Sequence, residues 1–190
     1  TVNGSQVTSV VTTALSVPVT VTPAAETVGT DSNGDGTADL SMNGDFTYAT
    51  PVIPARPGVS RISALSGVIM PKGALFFCDT HVNVDPTAEQ IAESTILAAE
   101  AVRGFGITPK VALLSHSSFG SSNSPSARKM RQALAIVRQL DPALEVDGEM
   151  HGDAALNEQV RTRYISGGAF AGDANLLIAP SLDAANIALT

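Results

Sequence analysis

The chain has 190 residues, enough for one ordinary domain with a small appendage and too few for a large multidomain enzyme. With 44% hydrophobic and 15% charged residues it has the apolar surface to offset the entropy of ordering, which excludes a disordered chain. Eleven Lys+Arg against eighteen Asp+Glu give a net charge of -7, which argues against sequence-independent nucleic-acid binding and against attachment to an anionic membrane.

The first segment, residues 1–55, holds Glu26, Asp31, Asp35, Asp39 and Asp45 and no Lys or Arg, whereas residues 56–190 hold every basic residue. This composition boundary divides the chain into a β-rich or loosely structured segment and an α/β domain. In the first, Leu15, Val17, Val19 and Val21 alternate with polar residues at the period of a strand, and Pro18 confines that strand to a sheet edge. Asn43-Gly44, flanked by Leu40/Met42 and Phe46/Tyr48, is the preferred pair for a two-residue hairpin turn. Between them, Asp31, Asn33, Asp35 and Asp39, with Gly36 at the sixth position, match the start of an EF-hand-type calcium loop. The match stops at Met42, where that loop needs a bidentate Glu, so calcium binding and plain turn chemistry both remain open.

From Arg56 onward, strands and helices alternate. Leu75-Phe76-Phe77-Cys78 and the runs 111–114 and 176–179 are short and apolar, as strands buried on both faces are. Thr87 and Gln90 form a capping box for a helix whose inward face is Ile91, Leu97, Ala98, Val102 and Phe105, ended by Gly106. Ser124 as N-cap and Pro125 at the first helical position start a second helix, with Met130, Leu134, Val137 and Leu140 inward. Residues 144–147 read as the next strand. This grammar predicts an α/β fold with a partly parallel sheet and helices on both faces.

In such sheets ligands gather beyond the carboxyl ends of the strands. The serine-rich loop, residues 115–124, leads into a helix N-terminus with Arg128 and Lys129 in its first turn. Ser115, Ser117, Ser121, Ser122, Arg128 and Lys129 are therefore candidates to bind phosphate or a phosphorylated cofactor. The competing reading is that the serines only build the turn and the cap. Asp147, Glu149, Asp153 and His151 invite a metal or acid–base reading against turn and capping roles. His81 and His116 have no nucleophile at an elbow motif beside them, and Cys78, at a strand end, reads as packing. One cysteine permits no intramolecular disulfide and no zinc array; no run approaches the roughly 18 apolar residues of a membrane span, and residues 1–20 lack signal-peptide character. A cytoplasmic protein is expected.

Several strings stand in one order: Pro57-Gly58-Val59-Ser60-Arg61-Ile62-Ser63, then FFCDTHVNVDPTAEQIAE from residue 76, PKVALLSHSSFGSSNSPSARKMRQAL from 109, LEVDGEMHGDAALN from 144 and DANLLIAPSLDAANIAL from 173. Together they resemble the phosphotransacetylase family, and within it the phosphotransacetylase-like C-terminal domain of bacterial hybrid NADP-dependent malic enzymes. The resemblance covers residues 57–190. It implies a fold similar to isocitrate and isopropylmalate dehydrogenases, self-association into a homo-oligomer, and an acyl-CoA site in a cleft. Residues 1–55 do not align with the family, and its Ser-Arg-Gly segment, which supplies the main catalytic groups, is not among these residues. The reading that follows is an acetyl-CoA-sensing and oligomerising module without catalysis of its own. Its rivals are a phosphate acetyltransferase and a calcium-binding β appendage.

Overall fold

A computed structural model describes residues 58–189 and the backbone of residues 10–14. In chain order the elements are β1 (Val10–Ala14), β2 (Ala64–Met70), β3 (Gly73–Cys78), α1 (Ala88–Gly104), β4 (Lys110–Leu114), α2 (Pro125–Leu140), β5 (Glu145–Met150), α3 (Gly152–Ala155), α4 (Glu158–Arg161), β6 (Leu176–Ile178) and α5 (Leu182–Leu189).

The three apolar runs become β3, β4 and β6, and because each is apolar on both faces they take the middle of the sheet. The strand order is β1-β2-β3-β6-β4-β5, with β3, β6, β4 and β5 parallel and β1, β2 and β3 antiparallel. Side-chain alternation then sorts the core. Phe76, Cys78, Val111, Leu113, Leu176 and Ile178 pack with Ile91, Ala98 and Val102 of α1 and with Met130, Leu134 and Val137 of α2. Leu75, Phe77, Ala112 and Leu177 form the opposite face, under Ala154, Ala155 and Phe170. Helices thus cover both faces of a mostly parallel sheet, as the sequence grammar requires.

Both helix starts are where the local chemistry puts them. Thr87 caps α1, its N–H donating to Gln90 Oε1 (2.8 Å) while its hydroxyl accepts the Gln90 N–H (3.4 Å). Ser124 caps α2 through the Ala127 N–H (3.3 Å), with Pro125 next. At the other ends the apolar stripes outrun the core, and Phe105 and Leu140 are exposed.

Two elements differ from expectation. β2 was not anticipated, because Ser66 and Gly67 interrupt its apolar pattern and its pairing depends on the turn that folds it back on β3. β5 continues through Gly148 to Met150, so Asp147 and Glu149 lie inside a strand and not in the loop after it. β1, from the first segment, pairs with β2 from Val10 opposite Val68 to Ala14 opposite Ala64. The expected strand at 15–21, the Asn43-Gly44 hairpin and the calcium-type loop of Asp31, Asn33, Asp35 and Asp39 lie outside the described residues. Among the described residues no helix is long and apolar enough to cross a membrane.

Candidate functional site

Four parallel strands end on one side of the sheet, and each is followed by a polar loop. The loop after β3 is organised by Asp79. Its buried carboxylate accepts the N–H groups of Ala64 (3.0 Å), His81 (3.1 Å), Val82 (3.2 Å) and Asn83 (2.9 Å), together with the Asn83 side-chain amide. An acid with that many backbone donors shapes a turn and has little capacity left for a ligand. Burial pushes the thiol of Cys78 far up, with the charge of Asp79 adding to the effect, so at neutral pH it stays a protonated packing group.

The serine loop after β4 is held together by its own hydroxyls. Ser117 N–H donates to Ser115 Oγ (3.2 Å), Ser118 N–H to Ser121 Oγ (3.0 Å), Ser122 N–H to Ser117 Oγ (2.9 Å) and Ser124 N–H to Ser122 Oγ (3.2 Å). Phe119 sits at φ 50 and Gly120 at φ 87, so the loop reverses through two left-handed residues, one of which carries a side chain. Ser117 is fully buried; Ser121 is exposed and Ser122 half-buried.

Beneath the loop lies Glu149, with no solvent exposure. Its Oε1 accepts from Ser117 Oγ (2.6 Å), Gly120 N–H (3.0 Å) and Arg131 of α2 (2.8 Å), while Oε2 has no hydrogen-bond partner among the described residues. Burial pushes this carboxyl up, but the bonds from Ser117, Gly120 and Arg131 outweigh it and leave the group below the ordinary glutamate range. Residues 148 and 149 of β5, with Phe119, Arg131, Leu134 and Arg138, line a cavity of about 340 Å³.

At the start of α2 the two predicted cations have different surroundings. Lys129 is tied across the strand ends, to Asp85 (2.6 Å) and to the Pro180 carbonyl (2.9 Å), and its hydrogen bond, then its charge, holds the exposed Asp85 carboxyl below its usual value. Arg128 is exposed and donates to the Asn123 carbonyl (2.6 Å). Among the described residues the N–H groups of Asn123 and Ser126 make no hydrogen bond. They lie at the positive end of the α2 dipole, where an anion is stabilised.

The acidic run near residue 150 does not converge. Asp147 accepts the Gly148 N–H (3.0 Å), Arg138 (3.1 Å) and the Ala169 N–H (3.0 Å), and Asp153 takes the Ala154 N–H (2.8 Å). His151 Nε2 donates to the His116 carbonyl (2.7 Å). Among the described residues no group of three or more His, Cys, Asp or Glu side chains is placed to hold a metal. The nearest approach to a nucleophile–base pair is Ser124 Oγ to His116 Nε2 (3.1 Å), but that hydroxyl also caps α2, and no described carboxylate orients the ring. Sequence reasoning named Glu149 only as a metal or acid–base candidate and missed Arg131, Asn123 and Ser126. The one signal for Arg131 was its spacing from Leu134, Ala135 and Arg138 on one face of a helix.

The sequence profile described as phosphate acetyl/butaryl transferase matches residues 18–190, reaching well into the first segment. An NAD-dependent malic enzyme of Rhizobium meliloti is 56% identical over 138 residues, 73% of this chain and 18% of that protein. A phosphate acetyltransferase of Synechocystis is 38% identical over 155 residues, 80% of this chain and 22% of its own length. Among solved structures, EutD phosphotransacetylase from Staphylococcus aureus superposes with a TM-score of 0.72 at 33% identity, covering 80% of this chain and 47% of that one. The chain therefore spans about a fifth of these curated relatives.

Proposed function

Since this chain belongs to the phosphate acetyl/butaryl transferase family, we propose that it is a phosphotransacetylase-like module that senses an acyl-CoA, or phosphate, at the N-terminus of α2 and assembles with further copies. It binds without completing acyl transfer by its own residues. The observation that carries the reading is the pair of unspent N–H groups, Asn123 and Ser126, at the positive end of a 16-residue helix, with Arg128 alongside. Phosphate groups of a CoA ester match that chemistry: a compact anion accepts from backbone N–H groups and gains a charge-assisted bond from a guanidinium. Lys129, already neutralised by Asp85, contributes by fixing the helix start against the other strand ends. The malic-enzyme relative, of which this chain matches 18%, supports a binding role as one part of a larger protein.

A second reading, phosphate acetyltransferase activity completed by residues outside this sequence, is favoured by the relation to the Synechocystis enzyme. Calorimetry and ligand-observed NMR with acetyl-CoA and with inorganic phosphate, run separately, test the first reading. Arg128→Ala should weaken binding roughly tenfold or more, the cost of one charge-assisted contact. Binding unchanged in Arg128→Ala and Ser126→Pro removes the α2 site, whereas CoA-dependent acetyl phosphate formation above background replaces the sensing reading with the second.

A further inference from the structure

Glu149 reaches the serine loop from a strand that is part of the sheet, and one of its oxygens takes donors from three different places: a loop hydroxyl, a loop N–H and a helix guanidinium. Those donors act further on. Ser117, held by Glu149, accepts the N–H of Ser122 (2.9 Å), and Arg131, held by Glu149, donates to the carbonyl of Ser122 (2.9 Å) and to Asn123 Oδ1 (3.3 Å). The two partners of Glu149 therefore grip Ser122 by both of its backbone groups. Because a peptide unit is planar and trans, fixing the Ser122 carbonyl fixes the direction of the N–H on its other side, which is that of Asn123. We propose that Glu149 is the positioning residue of the serine loop, its carboxylate setting the direction in which Asn123, and the Ser126 N–H beyond it, meet a phosphate group.

This inference rests on the reading of the α2 N-terminus as the anion site. Glu149 does not touch the anion and acts through Ser117, Gly120 and Arg131. Its negative charge matters because a neutral acceptor holds a guanidinium and a hydroxyl less tightly. Arg138 of α2 lines the same cavity and is paired with Asp147 of β5 (3.1 Å), while His116 and His151 of the adjoining segments bond to Ser124 (3.1 Å) and to the His116 carbonyl (2.7 Å).

The test uses the full chain with ¹⁵N labelling, inorganic phosphate as the probe, and the variants Glu149→Gln, which keeps an acceptor without the charge, and Glu149→Ala, which removes both. In the parent protein phosphate should shift the Asn123 and Ser126 amides, and without ligand the Gly120 amide should titrate with a carboxyl in the acid range. Glu149→Gln should abolish the Gly120 titration, move the Asn123 amide and weaken phosphate binding several-fold. Glu149→Ala should weaken it by roughly tenfold or more, with a melting curve still cooperative. If the alanine variant does not fold, the glutamine variant and the Gly120 titration decide alone. Unchanged Gly120 and Asn123 shifts with unchanged phosphate affinity in Glu149→Gln overturn the proposal. If the parent amides do not respond to phosphate at all, the anion site falls, while ligand-free Gly120 and Asn123 shifts altered in Glu149→Gln still uphold the positioning of the loop.

Discussion

At Glu149 a buried carboxylate carries three hydrogen bonds on one oxygen and none on the other. Arg131, which is 31% exposed, supplies the opposite charge beside it, after the hydrogen bonds from Ser117 and Gly120. Arg131→Ala should cost about 3 kcal/mol in urea unfolding at neutral pH, because removing one partner strands a buried charge. The sign with pH follows from the lowered carboxyl: stability from this group is present above the ordinary glutamate range, about pH 4.3, and is lost as pH falls through its value in the fold. The gap between parent and variant should accordingly narrow in melts below about pH 4. Next to it, Gly148 has φ 145, and a Cβ there would sit 2.8 Å from the Leu113 carbonyl oxygen and 3.1 Å from its Cβ. A backbone oxygen in the neighbouring strand has little room to move, so Gly148→Ala should lose about 2–4 kcal/mol by the same measurement.

Helix starts are the elements whose chemistry is most local. Thr87→Ala should cost about 1 kcal/mol in thermal unfolding, the usual worth of an N-cap, with Gln90→Ala a smaller part of it. That same locality explains what could be read in advance. Thr87 with Gln90, and Ser124 with Pro125, are signals contained in four or fewer residues, and the parallel strands announce themselves as unbroken apolar runs. β2 carries no such signal, since Ser66 and Gly67 make sense only once Cys78 and its neighbours run beside them. Gly148 looks like a turn residue, which is why β5 is longer than its apolar run. The hydroxyls of the serine loop were visible, but their use on one another was not. Glu149 finds Ser117, Gly120 and Arg131 at separations of 32, 29 and 18 residues, too far for any pattern in the chain to show.

Among the described residues an uncovered apolar surface lies where β2 and β3 pass the end of α1. Leu65, Phe76 and Ile107 line a cavity of about 200 Å³ there, Phe76 stacks on Phe105 (5.7 Å), and Phe105 and Ile69 are 53% and 67% exposed. Surface of this kind favours contact between copies. Sedimentation should show concentration-dependent association that Phe105→Glu reduces; a strictly monomeric species at high concentration would count against the oligomerising part of the proposed function. The sheet also has an order in time. β6, the last of the described strands in sequence order, lies between β3 and β4, with Phe76 opposite Leu176 on one side and Val111 opposite Leu176 on the other. While the polypeptide is being synthesised, β3 and β4 are both finished long before the strand that separates them, and any early pairing between those two must open again to admit it. Loop closure over such distances is slow. The nascent chain thus holds the β2–β3 and β4–β5 pairs unjoined to each other until residues 176–178 have emerged, an interval in which chaperone binding should be strongest, and a chain terminated after Gly172 should show no cooperative unfolding transition by circular dichroism.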